Sequence, residues 1–103
     1  MDSGQITSTD LASILNRLKS ERGILVSDTS ADAFYNEKIT FAISSLLSED
    51  IVDCSLRTDF GKTVIIYYAS LLIDGKDIAS DATLTLMRNT LSAMAKGERY
   101  SDD

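Results

Sequence analysis

The chain has 103 residues, of which 44% are hydrophobic and 25% charged, and its formal net charge is −6. This length and balance predict one small globular domain and differ from the composition of a chain that is disordered as a whole. The chain contains no His and one Cys, which excludes most zinc sites and histidine-based acid–base catalysis. The acidic excess argues against binding to phosphate backbones and to anionic membrane surfaces.

The start of the sequence shows no recognisable secretory signal peptide. Residues 1–6 are predicted to be a flexible N-terminus, residues 7–97 a single domain, and residues 98–103 a flexible acidic tail. No basic segment followed by an apolar run and a cleavage site precedes the domain, so we expect a cytoplasmic protein. No apolar run approaches the roughly 20 residues of a membrane-spanning helix.

The first predicted element is an amphipathic helix. Thr7 and Asp10 are spaced to cap its start, and Gly23 is the residue type favoured just past a helix end. Between these points, apolar residues recur at helical spacing: Leu11, Ile14, Leu15 and Leu18. The helix is therefore predicted to end at Gly23.

A short strand and a second helix follow. Residues 24–26 form a brief, partly β-branched apolar run, which predicts a strand. Residues 31–48 repeat apolar side chains at helical spacing, with Asp28, Thr29 or Ser30 available as a cap. Those apolar residues are Tyr35, Ile39, Ala42, Ile43, Leu46 and Leu47. No Gly or Pro interrupts the run, so one continuous helix is favoured over two short ones.

The next segment predicts a β-hairpin. Residues 51–57 alternate apolar and polar side chains, which places Cys54 on the inner face as a reduced core thiol. Residues 58–61 supply the turn, where Gly61 is expected to take a positive φ. Residues 63–69 form the return strand, which is apolar on both faces and should therefore be central.

A further hairpin and a last helix complete the pattern. Residues 71–73 and 76–78 flank Asp74-Gly75, a sequence typical of a tight turn, although residues 69–73 are also compatible with a helix. A final helix is predicted from near Asp81 to Lys96, with Gly97 at its end. Its apolar stripe consists of Leu84, Met87, Leu91 and Met94.

These elements predict an α+β fold. The order α-β-α-β-β-(β)-α would pack amphipathic helices on an antiparallel hairpin or three-stranded sheet. This order is similar to that of a winged helix, if residues 30–49 divide into two helices. It is also similar to a roadblock-type α/β sandwich with one strand missing, which is a likeness of topology alone.

The sequence contains no strong motif for catalysis or for a cofactor. Asp74, Asp77 and Asp81 do not have the spacing of a calcium loop, and tight-turn and helix-cap roles explain them better. Residues 61–63 lack the upstream glycine of a phosphate-binding loop. A carboxylate-based enzyme built on Glu49, Asp50 and Asp53 would need a cleft that the sequence does not indicate. We therefore predict no catalytic, metal-binding or cofactor-binding residues.

A non-enzymatic protein–protein interaction module is the function that fits best: a small acidic adaptor, regulatory subunit or chaperone-like protein. It would act through an apolar sheet face or a helix stripe, as a homodimer or with another protein. The predicted partner-binding residues are Ile65, Tyr67, Ala69, Leu84, Met87, Leu91 and Met94. The alternative is a winged-helix transcriptional regulator, whose only basic residues suited to phosphates are Arg57, Lys62, Arg17, Lys19 and Arg22.

Overall fold

The computed structural model describes residues 5–49 and 51–99, with side chains up to Met94. Within these residues every regular element is a helix, and no strand is present. The chain forms α1 (Ser8–Glu21), α2 (Asp32–Leu47), α3 (Asp53–Leu56), α4 (Asp59–Ile73), a 3₁₀ turn (Ile78–Ser80) and α5 (Ala82–Arg99). The predicted α+β class is therefore wrong, and so are the winged-helix-like and roadblock-like arrangements, because both require a sheet.

Helix α1 confirms the predicted caps. The Thr7 hydroxyl accepts a hydrogen bond from the Asp10 N–H, and the Asp10 carboxylate accepts one from the Thr7 N–H, at 3.1 and 3.0 Å. At the other end, Gly23 has a φ of 75° and the Ile24 N–H donates to the Lys19 carbonyl at 2.8 Å. This pattern is a Schellman cap. Residues 24–26 belong to the loop between α1 and α2 and do not form the predicted strand.

Helix α2 is a single continuous helix, as predicted. Its predicted capping side chains do not cap it. The residue at its start is Ala31, and the Asp28 carboxylate instead accepts hydrogen bonds from the backbone and hydroxyl of Ser30 within the preceding loop. The loop therefore forms its own hydrogen-bonded turn before the helix begins.

The predicted hairpin is wrong. Residues 53–56 form the single turn α3, and the predicted return strand, residues 63–69, lies inside α4. Thr58 caps α4, since its hydroxyl accepts a hydrogen bond from the Gly61 N–H at 3.0 Å. An apolar run with no polar face fits an enclosed helix as well as a central strand, and the 15-residue length of α4 is that of a helix. Cys54 is exposed on α3 and is not a core residue.

Gly61 is needed for a close contact rather than for a positive φ. A Cβ atom at this position would overlap the Ser55 carbonyl oxygen and would lie 2.6 Å from the Leu56 Cα. Both separations are far shorter than van der Waals contact. The start of α4 therefore packs directly on the backbone of α3, and only glycine permits this approach.

The sequence Asp74-Gly75 ends a helix instead of turning a hairpin. The Lys76 N–H donates to the Leu71 carbonyl at 2.9 Å and the Gly75 N–H to the Leu72 carbonyl at 3.2 Å, which is a second Schellman cap. Residues 71–73 therefore belong to α4, and the predicted strand over 76–78 leads into the 3₁₀ turn.

The predicted last helix is confirmed as α5. The Asp81 carboxylate caps its start by accepting a hydrogen bond from the Leu84 N–H at 2.8 Å. Contrary to the prediction, the helix passes through Gly97 and continues to Arg99. The remainder of the predicted acidic tail, residues 100–103, and the predicted flexible residues 1–4 lie outside the described residues.

Helix α4 occupies the centre of the fold. It packs against each of the other four α-helices described and against the 3₁₀ turn. No residue between Phe60 and Ile73 is exposed, and the three consecutive residues Val64, Ile65 and Ile66 are all buried. Because consecutive helical residues point in directions about 100° apart, neighbours must cover α4 on every side.

Candidate functional site

Lys19, one of the basic residues considered for phosphate binding, is engaged inside the fold. Its side chain is 1% exposed, and its Nζ lies 2.9 Å from both the Asp32 carboxylate and the Val26 carbonyl oxygen. Lys19 therefore joins α1 to the start of α2 and to the loop between them. A buried, paired ammonium group of this kind is not available to a ligand.

Two further basic residues of the α1 region also have partners within the chain. The Arg22 guanidinium lies 2.9 Å from the Asp74 carboxylate, and this hydrogen bond lowers the pKa of Asp74. Arg17 donates a hydrogen bond to the Thr63 hydroxyl at 2.9 Å. These contacts attach α1 to the two ends of α4.

The remaining two basic residues converge on Asp10. The Arg57 Nε lies 2.8 Å and the Lys62 Nζ 3.3 Å from the Asp10 carboxylate, which is 11% exposed. The pKa of Asp10 is lowered from 3.8 to about 2, chiefly by the hydrogen bond from the Thr7 N–H and further by the Thr7 hydroxyl, Lys62 and Arg57. Each of the five basic residues thus has a hydrogen-bond or ion-pair partner within the chain, which weighs against a nucleic-acid interface.

The predicted partner-binding residues of the sheet face lie in or against the core of α4. Ile65 and Ala69 are fully buried. The Tyr67 hydroxyl donates to both carboxylate oxygens of Asp81, at 3.0 and 3.1 Å, and this contact raises the pKa of Tyr67. These three residues therefore hold the monomer together and do not form an exposed face.

The predicted stripe of α5 also points inward. Leu84 and Leu91 are fully buried, and Met87 and Met94 are partly buried against the same core. The helical spacing of the four residues is as predicted, but the surface that they contact belongs to the same chain.

The acidic residues considered for catalysis do not form a described carboxylate pair. Glu49 makes a two-pronged ion pair with Arg88, Asp53 begins α3, and Asp50 lies outside the described residues. An open polar cleft of about 400 Å³ adjoins the ion pair and is lined by Glu49, Ala79, Thr85, Arg88, Asn89 and Ser92. Glu49 accepts hydrogen bonds from Nε and Nη2 of Arg88 and balances its charge, which weighs against an anionic ligand in this cleft.

The three aspartates near Gly75 have separate structural roles. Asp74 pairs with Arg22, Asp77 caps the 3₁₀ turn through the Ala79 N–H, and Asp81 caps α5. Among the residues described, no group of three Asp, Glu, Cys or His side chains is placed to hold a metal ion.

The side of α2 that faces away from the core carries large exposed apolar side chains. Five exposed residues on this side follow one another at intervals of three and four, so that they form a straight line on the helix. They are Phe34, Glu37, Phe41, Ser44 and Ser48, the last being the residue just past the helix, and we call this set the outer stripe of α2.

The two phenylalanines dominate the outer stripe. Phe34 is 46% and Phe41 54% exposed, although the chain contains only three phenylalanines. Phe34 lies against the Tyr35 ring, with centroids 5.8 Å apart, and the Lys38 Nζ lies 5.2 Å from the centre of the Phe34 ring. Phe34 is thus held in place by its neighbours while its other face remains in solvent.

Phe41 borders a shallow groove. The groove has a volume of about 200 Å³ and is lined by Phe41, Glu37, Lys38 and, from α4, Leu72. Leu72 is only partly buried. The apolar surface of the outer stripe therefore continues a short way onto α4.

The sequence contained a signal for this surface that the predictions did not use. The apolar repeat assigned to α2 accounts for its core face, where Ile39, Ala42 and Leu46 are buried. Phe34 and Phe41 lie outside that repeat and seven residues apart, which places them together on the opposite side of the helix. Packing within the monomer does not account for two large apolar residues on the side of the helix opposite its core face.

Comparisons of the chain with protein-family models, with curated proteins and with solved structures found no match. Among the described residues, no helix is long and apolar enough to cross a membrane. The chemistry of the chain's own surface is therefore the basis for inferring its function.

Proposed function

We propose that this chain is a non-enzymatic protein-interaction domain of the small acidic adaptor or regulatory-subunit type, and that the outer stripe of α2 is its docking surface. The observation that carries the proposal is that α2 has apolar side chains on two sides while the fold covers only one. A helix with apolar residues on more than one side is normally enclosed, and α2 is enclosed only on its core face.

The composition of the outer stripe supports this role. Aromatic side chains supply much of the binding free energy at protein interfaces, particularly when a partner removes them from water. The other exposed large apolar residues are Leu25 and Val26 in the loop before α2 and Leu86 on α5. Leu86 is isolated on a polar helix face, which is ordinary for a protein surface.

The contacts that charged side chains make within the fold support the same conclusion. The basic residues suited to phosphates and the described acidic residues considered for catalysis or metal binding have partners in the fold or lie at helix starts. These charged groups are therefore less available to a ligand than the exposed apolar side chains of the outer stripe.

Site-specific photo-crosslinking tests the proposal. The photoreactive residue p-benzoylphenylalanine is placed at position 41 or, as a matched control, at position 86, which is the exposed apolar site on α5. In an extract of the cells that produce the chain, we expect covalent adducts with polypeptide at position 41 and not at position 86. Equal labelling at both positions, or no adduct at position 41, would contradict the proposed function.

A further inference from the structure

We infer that Lys19 of α1 is a positioning residue for the docking surface. It fixes the first turn of α2, which has no side-chain cap of its own, and so holds Phe34 in line with Phe41. The role of Phe34 in docking rests on the proposed function. The effect of Lys19 on the helix start is a property of the chain alone and can be measured without a partner.

The start of α2 differs from the starts of the other long helices described. Thr7, Thr58 and Asp81 cap α1, α4 and α5 by accepting a hydrogen bond from a backbone N–H. The residue before α2 is Ala31, whose side chain has no acceptor, and its ψ of 13° is far from the extended backbone of a usual capping residue. A helix start without a cap frays more readily than a capped one.

The core provides little to hold this first turn. Ala33 and Phe34 are exposed, and Tyr35 is only partly buried against the core. The first buried residue of α2 is Ile39, almost two turns into the helix. The contacts of Phe34 with Tyr35 and Lys38 lie within α2 itself, so they do not attach the turn to the rest of the fold.

Lys19 supplies the contact that attaches the first turn of α2 to α1. Its Nζ lies 2.9 Å from the carboxylate of Asp32, the first residue of α2, and 2.9 Å from the carbonyl oxygen of Val26 in the preceding loop. The side chains of Leu25 and Val26 are 74% and 52% exposed, so burial of these two residues does not hold the loop. One ammonium group therefore joins α1 to both the loop and the helix start.

The burial of Lys19 indicates that its hydrogen bonds, rather than its bulk, are what this position requires. The residue is 1% exposed, although the flexible stem of a lysine normally carries its charge to water. Removing an ammonium group from water is costly, and a methionine of similar length would fill the space without that cost. The ammonium group adds directional hydrogen bonds that set the position of one helix relative to another.

Loss of the Lys19 contacts should loosen the first turn of α2 and leave the rest of the helix in place. From Ile39 onwards α2 is anchored independently, because Ile39 and Leu46 are buried in the core. Phe41 lies in this anchored part, whereas Phe34 lies in the first turn. The docking surface would therefore keep Phe41 and lose the fixed position of Phe34.

Amide hydrogen exchange followed by NMR tests the effect on the helix start. In Lys19→Met, we expect exchange at the Tyr35 and Asn36 amides, which close the first turn, to accelerate by about ten-fold or more relative to the change at Ile65. The Ile65 amide, in the centre of α4, reports the stability of the whole fold. Equal acceleration at all three amides, or none at Tyr35 and Asn36, would overturn the inference, because Lys19 would then not act on the helix start in particular.

Arg17→Met is the matched control. Arg17 is also a basic residue of α1, but its guanidinium donates to the Thr63 hydroxyl of α4 at 2.9 Å, so the substitution leaves the ion pair with α2 intact. Selective acceleration at the two first-turn amides in this control would overturn the inference, since the helix start would then respond to any lost contact of α1. If Lys19→Met does not fold by circular dichroism, Asp32→Asn replaces it, and the acceleration should be confined to the same two amides.

Photo-crosslinking tests the consequence for docking. With p-benzoylphenylalanine at position 34 or 41, we expect Lys19→Met to lower the adduct yield at position 34 several-fold relative to position 41. An unchanged ratio would overturn the role of Lys19 in positioning Phe34. Failure of the proposed function has a different result: no adduct forms at position 41 in the wild-type background, and hydrogen exchange still decides whether Lys19 fixes the helix start.

Discussion

Helices α2 and α4 each carry apolar residues on more than one side, and they differ in what surrounds them. Every residue of α4 from Phe60 to Ile73 is at least partly buried, because four helices and the 3₁₀ turn pack around it. Helix α2 packs mainly on α4 and α1 through its core face, and its Phe34 and Phe41 remain about half exposed. Apolar helix sequence therefore produces a core in one place and an uncovered surface in the other.

This difference between the two helices predicts separate effects of substitutions on folding and on association. Apolar residues of α4 contribute to the free energy of folding because folding itself removes them from water. The phenylalanines of α2 gain less from folding, since about half of each side chain stays in contact with water. Under the proposed function, a partner would cover the exposed half. Substitutions in α4 should therefore affect stability, and substitutions on the outer stripe of α2 should affect association.

The largest expected effect is that of Gly61→Ala at the start of α4. The new methyl group would overlap the backbone of α3 at the Ser55 carbonyl oxygen, and backbone does not rotate away as a side chain does. We expect a loss of about 3–5 kcal/mol in the free energy of unfolding, measured by urea denaturation. Gly23→Ala is the control: it meets no atom within 4 Å but has a positive φ, so it should cost only about 1 kcal/mol. Equal losses would show that the α3–α4 contact is not tight.

Ile65→Ala should come next. Ile65 is fully buried in the middle of α4, and its truncation leaves a cavity that rigid neighbours on all sides cannot fill. We expect a loss of about 2–4 kcal/mol by urea denaturation, with no specific effect on association. A loss below about 1 kcal/mol would mean that α4 is less enclosed than described.

A smaller, pH-dependent effect is expected at Asp10, which ties α1 to Arg57 and to Lys62 of α4. Its pKa is lowered in the folded state from 3.8 to about 2. A carboxyl group whose pKa is lowered by folding stabilises the fold at pH values above its pKa in the unfolded chain. This contribution is lost as the pH falls through its pKa in the folded chain. The stability difference between wild type and Asp10→Asn should therefore be full at pH 7 and shrink between about pH 4 and pH 2. A difference that stays constant over this range would contradict the lowered pKa.

The smallest effect on stability is expected for Phe41→Ser in α2. Because Phe41 is half exposed, the free energy of unfolding of the dilute monomer should change by no more than about 0.5 kcal/mol. The same substitution should nevertheless weaken association strongly, which Ile65→Ala should not do. A large loss of stability in the dilute monomer would place Phe41 in the core of this chain and remove the distinction between the two helices.

The chemistry of local caps accounts for what could be predicted from the sequence. Helix α1 is defined by the cap of Thr7 with Asp10, by Gly23 and by its apolar repeat, and the apolar repeats of α2 and α5 define those helices. These signals leave few other secondary structures possible, because each acts over a few turns of the chain at most. The same chemistry was present at Thr58 and Gly75, where it was interpreted as turns of a sheet. Both residues cap α4, as Thr7 and Gly23 cap α1.

The proposed docking surface is not the apolar surface that the sequence predicted. The sequence predicted an apolar surface for a partner and assigned it to Ile65, Tyr67, Ala69 and the α5 stripe. Those residues are used within the monomer. A pattern of apolar side chains shows that a face will be covered, and it does not show whether the cover comes from the same chain.

By itself, then, the sequence determined the lengths and ends of α1 and α2, the start of α5, one small acidic domain, and the lack of histidine and of a cysteine pair. Only the tertiary structure decided that residues 59–73 form a helix rather than strands, and that this helix, not α2, is enclosed. The physical reason is that an unbroken apolar run satisfies a buried helix and a buried strand equally well. The choice between helix and strand depends on which neighbours surround the run. Here the neighbours include the backbone of α3, which can approach closely because residue 61 is glycine, and α1, whose Asp10 carboxylate pairs with Arg57 and Lys62.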